Sequence, residues 1–315
     1  MADVAYIPGE PGRDRRPLVG YAMVTSAALL FAVNGTVSKV ALSSGIGARD
    51  LTQVRATGAF LGFALALTAL NRRSLRVRWR ELVFLAVFGV AGVAMVQWLY
   101  FVSIGRLPIG IALLIEYLAP ILIALWAWAV MHERVRRRIW GALVLALVGL
   151  SLVVEVWSGI SLDGLGIAAA LAAAVAYAVY VLMAEHAVRG RDPASLLCYG
   201  FGFAALFWAL VQPLWRFPAN RLDDNVSLLG RLSEWALPVW GLMLFVVVVG
   251  TMVTFLLVTA ALRHISATRV AIVAMLEPVV AGIVAFAWLG ESLGALQLVG
   301  GGIVLVGIVL AQTAR

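Results

Sequence analysis

Hydrophobic residues in this chain fall in long unbroken runs and do not alternate with polar ones. Ten runs come close to the roughly 20 apolar residues that a helix needs to cross a bilayer core. Bounded by charge, glycine or proline, they are Leu18–Leu42, Leu51–Leu70, Leu82–Ile104, Ile109–Met131, Ile139–Trp157, Leu165–Val188, Ala194–Trp215, Ala236–Leu262, Ala267–Leu289 and Ala295–Thr313. Barrel strands would be about 10 residues long with alternating polarity, whereas these runs are Leu, Ala, Val and Ile over twice that length. The pattern predicts an all-α membrane protein of ten transmembrane helices. The first run exceeds the roughly 7–15 residues of a cleaved signal's apolar region, so it reads as a retained span behind a short solvated tail, residues 1–17.

A shift of 158 residues lays the second half on the first without gaps. Leu118-Ala119-Pro120 falls on Leu276-Glu277-Pro278, Ala127 on Ala285, Ala129 on Ala287, Glu133 on Glu291 and Gly149 on Gly307. Spans 4 and 5 thus map onto spans 9 and 10. Five spans per half is an odd number, so the second half enters the membrane in the opposite sense, as in many secondary transporters. The expected organisation is a first five-helix repeat at 18–157 and a second, inverted one at 158–315.

Composition agrees: 63% of the residues are hydrophobic and 13% charged, with mean hydropathy +1.01, against roughly 45–50% and 25% in globular domains. A net charge of +8 could suggest nucleic acid, but the arginines cluster in short loops between the runs, where they report orientation. With the N-terminus inside, sixteen arginines lie on the inner side and five on the outer, among them Arg216, Arg221 and Arg231 of the one long loop. Both termini are therefore expected on the inner side. Trp79, Trp215 and Trp235 fall at span ends and read as interfacial anchors. With Cys198 the sole cysteine and three histidines scattered along the chain, no disulfide, metal site or cofactor is expected.

Two stretches bear a family likeness. "PIGIALLIEYLAPILIALWAWAVMHERV", within Ser103 to Val154, and "SATRVAIVAMLEPVVAGIVAFAWLGESLGALQLVGGGIVLVG", within Gly250 to Gln312, resemble the two halves of an EamA-type carrier of the drug/metabolite transporter superfamily. "FAVNGTVSKVAL" at Phe31–Leu42, with Gly35 and Lys39, is similar to the family's first span, and Leu165–Val188 to the start of its second half. The resemblance implies ten helices in two inverted halves and a central pocket lined by spans 1–4 and 6–9, with spans 5 and 10 peripheral. It also implies small metabolites as substrates, amino acids among them, often exported.

Ionisable groups at membrane depth are costly and are functional candidates by default. Three are deep: Lys39, Glu116 and Glu277. Pro120 removes the helical partner of the carbonyl four residues back, which is that of Glu116, and Glu277 directly precedes Pro278, so both acids sit at expected kinks. They line the pocket, or else serve as hydrogen-bonded packing groups. Lys39 either reaches the interface or pairs with a substrate carboxylate or Glu277. Arg55 and Arg269 read as interfacial anchors. Polar and aromatic residues at helical spacing, Asn34 with Ser38, Gln97 with Tyr100 and Ser103, Tyr117, Tyr177 with Tyr180, and Thr251 with Thr254, face protein or water. Asn34, Gln97, Tyr100, Glu116, Tyr117, Tyr177 and Glu277 are the substrate-binding candidates. The Ala170, Ala174, Ala178 series reads as close helix contact.

No GxSxG, HExxH or P-loop is present. The expectation is therefore a facilitator or an ion-coupled carrier, with Glu116 and Glu277 the candidates for proton exchange, that exports neutral amino acids with large side chains. Sugar phosphates are disfavoured because no arginine is expected at mid-depth among these residues. An intramembrane scaffold or enzyme subunit is the alternative.

Overall fold

The computed structural model describes residues 16–104, 106–107, 109–132, 136–153, 163–213, 217–290 and 294–313. The tail up to residue 15, the Glu133–Glu291 match, the end of span 5 at Trp157, the boundary between the halves, the Trp215 anchor, and Arg13, Arg15, Arg134, Arg216 and Arg315 lie outside them.

Span 1 is α1 (Pro17–Ser43) and span 2 is α2 (Ala48–Leu70). Span 3 consists of α3 (Trp79–Val87) and α4 (Met95–Ile104), joined by a wide π-helical stretch at Phe88–Ala94. Span 4 is split into α5 (Ile109–Glu116) and α6 (Ala119–Ala129). Span 5 is α7 (Arg137–Val153), span 6 is α8 (Gly164–Ala187) and span 7 is α9 (Pro193–Val211). Span 8 is α10 (Val239–Val247) and α11 (Thr254–Ala261) around a second π stretch, Val248–Val253. Span 9 is α12 (Ala267–Ala274) and α13 (Leu276–Val284) with a third at Ala285–Leu289, and span 10 is α14 (Ala295–Thr313). Seven of these helical stretches are long and apolar enough by themselves to cross a membrane. The ends agree with the apolar runs to about one helical turn.

Local signals explain several starts. Asp163 caps α8 by accepting from the Gly166 backbone at 2.7 Å, and Asp192 caps α9 by accepting from Ser195 at 3.2 Å, ahead of Pro193 at the first helical position. Span 8 begins at Val239, not at Ala236, because Ala236–Pro238 forms strand β2. It pairs antiparallel with β1 (Asn225–Ser227), Val226 opposite Leu237, in the loop after span 7.

The packing is self-similar. Span 1 packs on spans 8 and 9, and span 6, its counterpart, on spans 3 and 4; span 2 packs on span 7 and span 5 on span 10. Exchanging the halves reproduces this pattern, and with five spans each the exchange axis lies in the membrane plane. The break between α5 and α6 at Tyr117–Leu118 maps by the 158-residue shift onto Met275–Leu276, where α12 gives way to α13. The π stretches of spans 3 and 8 correspond to within about two residues. Even single contacts repeat. A Cβ on Gly149 would lie 2.6 Å from the Gly300 carbonyl, and one on Gly307 would lie 2.9 Å from that of Ala142, the image of the same pair.

The contacts between helices are rich in alanine and glycine. Ala170, Ala174 and Ala178 are buried, as expected of a close helix contact. Large aliphatic side chains such as Leu61 and Val144 face outward. Trp79, at 83% exposure, opens span 3, whereas Trp235, at 70%, lies in the loop just before β2 and not at the end of span 8.

Candidate functional site

Both broken spans carry proline in the first turn of their second segment: Pro120 in α6 and Pro278 in α13. Proline lacks an N–H, so Pro278 leaves the Ala274 carbonyl without its helical partner. Tyr117, at the opposite break, crosses to this point. Its hydroxyl donates to Glu277 Oε2 at 3.0 Å and lies 3.4 Å from the Ala274 oxygen. One phenol thus ties the two halves of the molecule together where both helices open.

Around Glu277 the other candidates converge. Glu116, Tyr100 and Tyr177 lie within its electrostatic reach, and so does Arg55. Arg55, expected to be an interfacial anchor, turns inward instead. Its Nε donates at 3.0 Å to the Thr251 hydroxyl, which in turn donates at 2.8 Å to the Val246 carbonyl across the π stretch of span 8. Arg55 is thus a basic side chain that interacts with Glu277, while Lys39 is exposed on span 1, one turn beyond Gly35. Arg55 also corrects the expectation that no arginine stands among these residues. A signal for it was present: Arg55 shares a helix face with Gly58, Ala59 and Gly62. Small residues mark protein contact in a membrane, and Gly58 and Gly62 meet Val247 and Met252 of span 8.

Asn34 and Gln97 are buried amides. Gln97 Nε2 reaches only the Val93 carbonyl of its own helix, at 3.4 Å. Among the described residues, Asn34 Oδ1, Gln97 Oε1 and Ser38 Oγ have no hydrogen-bond partner, and an unsatisfied buried polar atom costs about 1–3 kcal/mol. Ser103, by contrast, donates to the Tyr100 carbonyl at 2.7 Å and serves its own helix. Toward the side where α1 begins, rings pack closely: Phe88 stacks on Tyr180 at 5.4 Å, and Phe255 meets Phe31, Tyr180 and Phe201 edge-on at 5.6, 5.7 and 5.2 Å. Tyr180 also shares a 3.1 Å hydrogen bond with Thr259. Phe88, Tyr180 and Phe201 are buried and Phe31 and Phe255 half-buried.

Gly250 makes a testable contact. A Cβ there would collide with the amide of Asn34, so Gly250→Ala should destabilise the protein by about 1–3 kcal/mol. Adding Asn34→Ala should return most of that loss while keeping a tight 3.0 Å contact with the Cβ of residue 34. Thermal unfolding in detergent measures both, and simple additivity of the two losses would show that the collision is not the cause.

A solved crystal structure superposes on this one with a TM-score of 0.75 at 18% identity, covering 93% of this chain and 96% of that one, a likeness of fold alone. An uncharacterized transporter of Archaeoglobus fulgidus is 29% identical over 290 residues, 92% of this chain and 94% of the relative. The threonine/homoserine exporter RhtA of Escherichia coli is 26% identical over 297 residues, covering 94% and 92%. A probable terminal-alkyne amino-acid exporter of Streptantibioticus cattleyicolor is 27% identical over 273 residues, 84% of each chain. The model of the EamA-like transporter family matches twice, at residues 18–155 and 164–313. This multi-pass membrane protein, with its two repeats of five helices, belongs to the EamA-like transporter family.

Proposed function

We propose that the protein is a secondary carrier that exports amino acids, preferring neutral ones with large or aromatic side chains, by alternating access to the cluster between the broken spans. The observation that carries this reading is the gathering of one guanidinium, Arg55, a second carboxyl, Glu116, and three tyrosines around Glu277. A zwitterion suits that arrangement. Its carboxylate pairs with Arg55 or accepts from the Asn34 and Gln97 amides, its ammonium donates to Glu116, and its side chain packs on Tyr100, Tyr117 and Tyr177. Arg55 alone does not make a phosphate site, because two carboxyls oppose a dianion there. The export named for the two amino-acid exporters supports the direction. Proton exchange at Glu116 or Glu277 is the proposed coupling, and substrate and bilayer are the proposed partners.

Uptake of labelled Phe, Trp, Met, Leu and Thr and of a sugar phosphate into proteoliposomes tests the reading. Amino-acid flux should dominate, and Glu116→Ala and Tyr100→Ala should each lower it about tenfold or more, the scale of one hydrogen bond to a charged group. Greater sugar-phosphate flux, or amino-acid flux indifferent to both substitutions, would overturn it.

On this reading the chain lies in a bacterial inner membrane with both termini cytoplasmic, an orientation supported by the arginine excess on the side where α1 begins. Leu75→Cys should then react with a membrane-impermeant maleimide only from the cytoplasm and Asn225→Cys only from outside. The native Cys198 is buried and should stay silent. External labelling of Leu75→Cys reverses the orientation.

A further inference from the structure

On the face where α1 begins, a cavity of about 1210 Å³ opens between the loop after span 2, the start of span 3 and the turn from span 6 to span 7. Six arginines line it, Arg73, Arg76, Arg78, Arg80, Arg189 and Arg191, with His186. Among the described residues the acids lining it are Glu81 and Asp192, and both are engaged: Glu81 with Arg191 at 2.6 Å, Asp192 with Arg263 at 3.9 Å. Arg73, Arg76, Arg78 and Arg80 are exposed and, among the described residues, make no ion pair.

The cavity has a fixed frame. Arg191 donates to the Ser195 hydroxyl at 2.7 Å and to the Arg76 carbonyl at 3.2 Å, and its guanidinium lies 5.4 Å from the centre of the Tyr199 ring. Ser195 donates to the Ser74 carbonyl at 2.5 Å and Tyr199 to that of Leu75 at 2.6 Å. The 71–78 loop is thus held to the span 6–7 turn by groups other than the guanidiniums of the four exposed arginines. Its surroundings are apolar on the membrane side. Leu70 is 86% exposed and adjoins Asn71 of the lining, and Trp79, between Arg78 and Arg80, is flanked by exposed Val83. Further along spans 3 and 6 Phe88 stacks on Tyr180, and among the described residues that line the cavity none belongs to the Glu277 cluster.

We propose that this cavity is a binding site for the head-group phosphate of an anionic phospholipid, whose acyl chains lie along Leu70, Trp79 and Val83. Arginine suits a phosphate because its planar fork donates two parallel hydrogen bonds, and basic pockets at the interfacial ends of membrane helices are suited to anionic head groups. The apolar rim favours a lipid over phosphate free in solution, which would gain nothing from Leu70 and Trp79.

The test uses the full chain in neutral detergent with added phosphatidylglycerol or phosphatidylcholine of the same acyl chains, bound lipid being counted by native mass spectrometry. The native protein should retain phosphatidylglycerol at least about tenfold better. The variant Arg73→Gln/Arg76→Gln/Arg80→Gln should lose that preference, and Arg136→Gln/Arg137→Gln/Arg138→Gln, on the same side of the membrane, should keep it. Equal retention of both lipids by native protein, survival of the preference in the first variant, or its equal loss in both, overturns the site. Displacement of phosphatidylglycerol by inorganic phosphate would assign the cavity to a soluble anion and overturn the lipid assignment. Should the first variant fail to fold, the two native-protein comparisons decide alone.

Discussion

Glu277→Gln should cut flux driven by a pH gradient at least about tenfold while leaving counterflow of labelled substrate intact. The glutamine keeps the size of the side chain but fixes it neutral. With both carboxyls ionised and Arg55 charged, the cluster of Arg55, Glu116 and Glu277 carries a formal −1, and one bound proton brings it to zero. A carrier that reads the gradient needs that change, whereas exchange of substrate for substrate does not. The amide oxygen of the glutamine can still accept the 3.0 Å bond from Tyr117, so the tie between the halves survives the substitution. Proteoliposomes with and without an imposed gradient separate the two fluxes. Full pH dependence in both Glu116→Gln and Glu277→Gln would mean that neither acid couples, and a pH-independent facilitator would be the better description.

Gly149→Val should lower stability by about 3 kcal/mol or more, the upper end of overpacking costs, and that is a sizeable share of the roughly 5–15 kcal/mol that holds a folded protein. The obstacle is backbone. A Cβ on Gly149 meets the Gly300 carbonyl at 2.6 Å and the Val304 nitrogen at 2.7 Å, so no side-chain rotation relieves it and spans 5 and 10 must part. These spans pack chiefly on each other and only secondarily on the segments that carry Glu116 and Glu277. The surviving folded protein should therefore keep its KM while its melting temperature falls. An unchanged melting temperature would mean that the two helices are not held this closely.

Much of the architecture was legible because a bilayer makes span length a strong constraint. Spans 9 and 10 run over the residues where their apolar runs begin and end, Ala267–Leu289 and Ala295–Thr313. The breaks at Tyr117–Leu118 and Met275–Leu276 were marked by prolines in register. Azimuth was harder to read. Hydropathy places Arg55 one turn into span 2 without saying which way it points, and only the small residues on its face, Gly58, Ala59 and Gly62, carry that information. The π stretches left no comparable mark, since a wide turn depends on what packs against it: Asn34 against Gly250 in span 8, and the Tyr180 backbone against Gly92 in span 3. The β1–β2 hairpin escaped notice because three-residue strands are too short to show a period.

The wide turns in spans 3 and 8 also bear on how such a molecule changes shape. A π turn amounts to one surplus residue wound into an α-helix. A surplus can travel along the rod like a ruck in a carpet, lengthening nothing and leaving both ends moored. Each residue it passes is turned by about 100° about the helix axis, the angular step of a 3.6-residue turn. Migration of the ruck in span 3 would swing Phe88, and in span 8 Thr251 together with the arginine it holds.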